Sequence, residues 1–227
     1  MVEGSKRQFG AGCSEDSRYR CELVGRDAAE HSILGCLRAD VNFDQVQKLL
    51  ADIRDAQGID KFVVVGSLSV LGLVSSREIP DAMLVSNELD GYPEDDPGRR
   101  QQIAQQFGQG TRFESEHGYY FDPVAPTLPT LPDGWKDRLI ETRLPSGVQV
   151  KFLDPNDAAV SKYARGMPKD REWIREGLAA SILSGATIEH RFRSTEFLDQ
   201  AEHERAKTAL AEDLDWFRRR RGKRKSP

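Results

Sequence analysis

The sequence lacks a long hydrophobic run, and this narrows the classes of protein that it can encode. Its most apolar stretches, 62–65 and 68–74, are bounded or broken by glycine and serine. They fall far short of the ~20 apolar residues that cross a bilayer. The first residues include Lys6 and Arg7 but no apolar segment, so no secretory signal is predicted. We therefore expect a cytoplasmic protein without a membrane partner.

Cysteine is also scarce. Cys13, Cys21 and Cys36 cannot all pair within one chain, and their spacing matches no zinc-binding pattern. We interpret them as reduced thiols. The alternative is a redox pair formed by Cys13 and Cys21, which a reducing cytosol disfavours.

The composition is that of a folded chain. Of 227 residues, 38% are hydrophobic and 31% charged, and 3 Trp, 5 Tyr and 10 Phe are enough to anchor a core. This length is typical of one domain with appendages, so an array of independent domains is not expected.

Positive charge is concentrated at one end of the chain. Seven of the 33 basic residues lie in 218–227, which contains no acidic residue. The rest of the chain has 26 basic and 37 acidic residues. Such an acidic body repels polyanions, whereas the basic end attracts them. The tail is either a solvated, frayed end or a nucleic-acid contact.

Hydrophobic periodicity and turn residues predict the order of the elements. Asn42 is a candidate cap for a helix with an apolar face that ends before Gly58. The later elements follow from the same signals. We expect strands at 61–66, 82–89 and 118–122, a hairpin of 135–144 with 148–153, and helices at 67–73, 97–107, 155–164, 169–183 and from about 195 into the tail.

This order predicts an α/β (α+β) fold in which a mixed sheet is followed by helices. We divide the chain into an irregular lead-in (1–40), a sheet domain (41–153), a C-terminal helical region (154–217) and the basic tail (218–227).

Gly66 and Ser67 lie at a predicted junction between strand and helix. Glycine lets a ligand approach the backbone, and free N–H groups at a helix start suit phosphate. Most such Gly-Ser pairs are only structural, so both interpretations stay open.

Three acidic residues are candidates for a metal site. Glu88 and Asp90 stand two apart on an extended segment, so their side chains share a face and could bind Mg²⁺ together. The alternative to a metal site is a solvated acidic loop, because Glu94, Asp95 and Asp96 follow directly. Asp122 ends the aromatic strand directly before a proline. Three roles are open for its side chain: completing a metal site, acting as a base, or forming a turn.

Lys162 is a candidate for binding an anion. It lies on a helical face with apolar neighbours, where a lysine is costly unless it meets an anion such as a triphosphate. An ordinary surface lysine is the alternative.

Five segments together resemble the nucleotidyltransferase-like proteins related to AbiEii-type toxins of bacterial abortive-infection and toxin–antitoxin systems. The resemblance covers roughly residues 42 to 185, and the order of the segments carries it. The segments are Val-Gly-Ser-Leu-Ser-Val-Leu-Gly, Ser-Asn-Glu-Leu-Asp, Gly-Tyr-Tyr-Phe-Asp-Pro-Val, Leu-Pro-Asp-Gly-Trp-Lys-Asp-Arg-Leu, and Leu-Asp-Pro-Asn-Asp leading to Lys162 and Lys169-Asp170.

The resemblance implies a polymerase-β-like nucleotidyltransferase fold and a site for an NTP with Mg²⁺. Its implied roles are phosphate binding by Gly66 and Ser67, metal binding by Glu88, Asp90 and Asp122, contact with the triphosphate by Lys162, and an acidic partner at Asp170. Glu88 departs from the family pattern, which has aspartate at this position.

We therefore expect an enzyme that moves a nucleoside monophosphate from an NTP to an acceptor, RNA (including tRNA) or protein. As the toxin of such a system it would have a cognate antitoxin protein as partner. The alternative is a catalytically silent relative that binds nucleotide, RNA or a partner protein.

Overall fold

The computed structural model describes residues 41–223. The predictions for 1–40, for the three cysteines and for 224–227 lie outside this range. The described elements are α1 (Phe43–Gln57), β1 (Lys61–Val64), β2 (Glu88–Pro93), α2 (Arg100–Phe107), α3 (Arg112–His117), β3 (Tyr120–Pro123), β4 (Ile140–Arg143), β5 (Gln149–Phe152), α4 (Pro155–Arg165), α5 (Pro168–Ala179), α6 (Gly185–Phe192) and α7 (Gln200–Lys223).

The five strands form one mixed sheet in the order β3-β2-β1-β5-β4. The β2–β3 and β1–β5 pairs are parallel, and the β1–β2 and β4–β5 pairs are antiparallel. The predicted α+β class with a mixed sheet and C-terminal helices is thereby confirmed.

Each face of the sheet is covered by its own set of helices. Alternation along β1 sends Phe62 and Val64 into a core with α1, whereas Val63 and Val65 pack with residues of α4–α7. Because α4 to α7 cover one face, they form one wall of any site on that face.

The prediction for α1 is confirmed at both ends. The Asn42 side chain accepts from the Gln45 backbone N–H, and Gly58 ends the helix in the left-handed conformation. On the apolar face, Val46, Leu49, Leu50 and Ile53 are fully buried, and Phe43 is partly buried.

The strand predicted at 82–89 is wrong. Asp81–Met83 is instead a 3-10 helix, and β2 starts only at Glu88. Met83 alternates correctly for a strand but is buried in the helical core, and its carbonyl accepts a hydrogen bond of 3.0 Å from Trp173 Nε1. A tertiary contact therefore overrides the local pattern.

Other boundaries also differ from the prediction. The helix at 67–73 is a 3-10 helix, and residues 135–144 contain a 3-10 helix, Trp135–Arg138, before β4, although the hairpin of β4 and β5 is as expected. The helix expected at 169–183 ends at Ala179, and α7 starts at Gln200. The helix α6 between them is absent from the prediction. Among the described helices, none is long and apolar enough to cross a membrane.

Candidate functional site

Three carboxylates share one face of the sheet. Asp90 of β2 is in register with Asp122 of the parallel strand β3, and Glu88 lies two residues earlier. Their neighbours Leu89 and Phe121 point into the opposite core. The predicted acids are thus on the face that α4–α7 cover, and Asp90 and Asp122 are direct neighbours.

Gly66 brings backbone against the Asp90 carboxylate at the end of β1. Its φ of 68° and ψ of −153° lie in a region that only glycine readily adopts. A Cβ at Gly66 would lie 1.9 Å from Asp90 Oδ2. Both the conformation and the close approach therefore require glycine, which supports a specific role for the predicted corner.

The electrostatics of the carboxylates reflect their crowding. Burial, and then the charges of Glu88 and Asp122, raise the pKa of Asp90 to about 7. Burial and the Glu88 charge also raise the pKa of Asp122, and a hydrogen bond with Asp90 partly offsets this rise. A cation between these side chains would relieve the repulsion.

Lys162 of α4 is buried opposite the carboxylates. Its Nζ donates hydrogen bonds to Ser67 Oγ at 2.8 Å and to Asp170 Oδ1 at 3.3 Å. The same nitrogen lies 4.8 Å from the Trp173 ring centre. Burial lowers the pKa of Lys162, and the Asp170 charge opposes this effect. Lys162 thus contacts both Ser67 and Asp170, two of the residues that the sequence singled out.

Arg165 also belongs to the site, although the sequence pattern does not single it out. Its Nε and Nη2 donate to the two Asp170 oxygens at 2.9 and 2.5 Å. Burial would raise the pKa of Asp170, but these bonds and Lys162 hold it below its ordinary value. The one sequence signal was position, since Arg165 follows Lys162 by three residues and so lies one turn further along the same helical face.

A cavity of about 410 Å³ lies between the carboxylates of the sheet and the helix α4. Gly66, Asp90 and Asp122 line it from the sheet side, Lys162 and Arg165 line it from α4, and Glu202 lines it from α7. An acidic wall and a basic wall thus face one space, which suits a metal-bound polyphosphate.

Asp90 and Asp122 suit Mg²⁺ as a pair of ligands, but the protein does not supply a complete coordination shell. Among residues 41–223, no three Asp, Glu, His or Cys side chains converge closely enough to hold a metal ion. Glu88 accepts a hydrogen bond from Tyr120 Oη at 3.1 Å and lies 3.7 Å from Lys169 Nζ. Mg²⁺ commonly takes only one or two carboxylates and completes its shell with water and substrate phosphates. Asp90 and Asp122 meet that requirement.

Comparison with known proteins shows that this domain, with its mixed sheet and its carboxylate pair beside a glycine corner, is nucleotidyltransferase-like. The chain belongs to the family described as "Nucleotidyltransferase of unknown function (DUF6036)", whose model matches residues 41–224. No curated protein and no solved structure matches the chain. The expected nucleotidyltransferase-like family is therefore confirmed at this level.

Proposed function

We propose that the protein is a Mg²⁺-dependent nucleotidyltransferase that moves a nucleoside monophosphate from an NTP to an acceptor hydroxyl. The observation that carries this proposal is the adjacent pair Asp90 and Asp122 against Gly66, across one cavity from Lys162 and Arg165. Membership of a nucleotidyltransferase family supports the reaction class.

In this proposal Asp90 and Asp122 hold Mg²⁺, with Glu88 beside them. The ion would supply charge stabilisation to the phosphates during transfer. The Gly66 backbone and the Ser67 hydroxyl orient the phosphates at the corner. Glu88 has its oxygens near Tyr120 and Lys169, so it contributes mainly negative charge unless its side chain moves.

The reaction exchanges one P–O bond for another. The acceptor oxygen bonds to the α-phosphorus, the bond from that phosphorus to the oxygen bridging to the β-phosphate breaks, and pyrophosphate leaves. Asp122 takes the proton of the acceptor hydroxyl. Lys162 stabilises the charge that develops on the leaving group. Asp170, buried behind Lys162, acts through it and not on the substrate.

Transfer of label from an NTP to RNA or protein tests the proposal. The wild type should label an acceptor only when Mg²⁺ is present, and Asp90→Ala should reduce the signal to background, because it removes the carboxylate that touches both Gly66 and Asp122. The control is Asp55→Ala, which removes an exposed carboxylate far along α1. Equal labelling by the wild type and Asp90→Ala rules the mechanism out.

A catalytically silent nucleotide-binding protein is the second candidate, favoured by Glu88. The longer side chain stands where the resemblance to AbiEii-type proteins implies aspartate, and its oxygens lie near Tyr120 Oη and Lys169 Nζ. Calorimetric titration with NTP and Mg²⁺ separates the candidates: NTP binding that Mg²⁺ strengthens, together with transfer, supports the enzyme, whereas NTP binding without transfer supports the silent protein.

We propose RNA, including tRNA, as the acceptor and toxin activity as the biological role. The resemblance of the sequence segments to AbiEii-type proteins supports the role, and the basic end of α7 supports the RNA contact. A small protein that binds this chain and relieves growth arrest on co-expression would be its antitoxin. Growth that is unaffected by expression of the chain would contradict the toxin role.

The basic end of α7 carries a separate prediction. Arg218–Arg221 are exposed on four successive helical positions, so their guanidinium groups surround the helix. Replacing all four by glutamine should weaken RNA binding. It should also reduce the slope of log K against log salt by up to about 3 to 4, because each of the four possible phosphate contacts contributes about 0.7 to 0.9.

The control for this experiment removes the same amount of charge elsewhere. It replaces four other exposed basic residues by glutamine, namely Lys48, Arg112, Arg143 and Arg193. An equal change in both variants, or an unchanged slope in the α7 variant, would show that α7 is not the contact.

A further inference from the structure

Arg165 keeps most of its donors available to a ligand. A guanidinium has five N–H donors, and the two bonds to Asp170 use two of them. Within residues 41–223, Arg165 donates no other hydrogen bond, its side chain is 47% exposed, and it lines the cavity. Three N–H groups are thus free to bind an anion there.

Lys162 is much less available than Arg165. Its side chain is only 5% exposed, and two of its three donors go to Ser67 and Asp170. Its charge still acts on the cavity, but at most one N–H remains for a phosphate oxygen. A triphosphate has several terminal oxygens, so Lys162 alone cannot satisfy them.

Asp170 fixes Arg165 in place. It is 1% exposed and accepts from Lys162, from Arg165 and from the Met167 backbone N–H at 3.2 Å. A two-point contact holds a guanidinium in one plane, which a single bond does not. The carboxylate also reduces the charge of the two cations to a net single positive charge.

The carboxylates of Asp90 and Asp122, across the cavity from α4, determine which part of a nucleotide can bind Arg165. Asp90 and Asp122 repel phosphate oxygens except where a cation lies between them, so the metal-free end of a polyphosphate is driven to the α4 wall. This wall carries Arg165 and Lys162.

We propose that Arg165 is the principal protein ligand of the β- and γ-phosphates, and that Asp170 is the positioning residue that orients it. This inference rests on the proposed function and deepens it. In this inference Asp170 does not contact the substrate itself but orients the residue that does.

Binding of inorganic tripolyphosphate, compared with monophosphate, tests the inference without nucleobase or acceptor. Arg165→Gln should lower the affinity for tripolyphosphate by about tenfold or more, because charge-assisted hydrogen bonds to several oxygens are lost. Monophosphate binding should change much less. Arg165→Lys, which keeps the charge but loses the fork, should recover only part of the loss.

Arg175→Gln is a matched control. Arg175 also pairs with a buried carboxylate, Asp213, which retains Arg171 just as Asp170 would retain Lys162. Arg175 does not line the cavity. This variant should match the loss of stability of Arg165→Gln but keep the wild-type ratio of tripolyphosphate to monophosphate affinity.

Asp170→Asn tests the positioning role through the same ratio. The ratio should fall because Arg165 is no longer held in one plane, and a purely structural role would leave it unchanged. An unchanged ratio in both Arg165→Gln and Asp170→Asn overturns the inference.

Labelled-NTP transfer by the wild type, measured in parallel, separates the two claims. Transfer with an unchanged ratio in Arg165→Gln contradicts only the role of Arg165. A ratio that depends on Arg165 without any transfer contradicts the proposed function and keeps the phosphate site.

Discussion

Asp90→Asn is expected to make the metal-free protein more stable at pH 8 than the wild type. Burial and the charges of Glu88 and Asp122 raise the pKa of Asp90 to about 7, so the folded protein resists ionising it. Asparagine has nearly the same shape without the charge. The variant therefore gains stability while it loses the proposed metal ligand, which is the trade-off expected where a site is built for function.

The direction of the pH dependence follows from the raised pKa. In the unfolded chain Asp90 ionises near its ordinary value of 3.8. Its contribution to stability is therefore complete below about pH 4 and is lost as the pH rises towards 7. Each pKa unit corresponds to about 1.4 kcal/mol. We expect the difference in unfolding free energy between variant and wild type to widen by about 2.6 kcal/mol from pH 5 to pH 8.

Urea unfolding at several pH values, in buffer containing a chelator, measures this effect. Asp55→Asn removes a carboxylate that is exposed on α1, so its difference from the wild type should stay nearly constant over the same range. A gap that is equally constant for Asp90→Asn would mean that the three carboxylates do not crowd one another.

Gly66→Ala is expected to destabilise the fold and to disrupt the site at once. The backbone at Gly66 has φ 68° and ψ −153°, and holding alanine there costs up to about 3 kcal/mol. The new Cβ would also lie 1.9 Å from Asp90 Oδ2, so the carboxylate must move. We expect a loss of about 3 kcal/mol of unfolding free energy and a loss of labelled-NTP transfer.

A second glycine gives the cost of positive φ at a position where no collision occurs. Gly58 also has positive φ, 67°, but a Cβ there meets nothing within 4 Å. Gly58→Ala should cost about 1 kcal/mol, since a single residue is forced into the left-handed region. Equal effects at both glycines would show that the contact with Asp90 is unimportant. If the double variant Gly66→Ala/Asp90→Ala regains part of the unfolding free energy that Gly66→Ala loses, the collision with Asp90 is a cause of that loss.

Part of this site could be predicted from local sequence. The spacing of Glu88 and Asp90 places both side chains on one face of any extended segment, although the predicted strand, 82–89, ends before Asp90. Gly66 and Ser67 follow a buried strand that the apolar run made visible. The helix with Lys162 was predictable because Asp154 caps it and Pro155 opens it.

The remaining features depend on contacts between distant segments. The register that pairs Asp90 with Asp122 is set by the parallel β2–β3 pair, which no local pattern encodes. Arg165 looked like an ordinary charged residue near a helix end, and only the buried carboxylate of Asp170 directs it to the cavity. The short helix α3 was missed because its apolar face is little more than Phe113.

The central claim is that Asp90 and Asp122 hold a divalent ion on the phosphates of an NTP. Electron paramagnetic resonance of Mn²⁺, titrated with a non-hydrolysable NTP analogue, tests it most directly. The wild type and Arg175→Gln should bind Mn²⁺ tightly only when the analogue is present, and Asp90→Asn should lose this binding. Undiminished, analogue-dependent Mn²⁺ binding by Asp90→Asn would contradict the account.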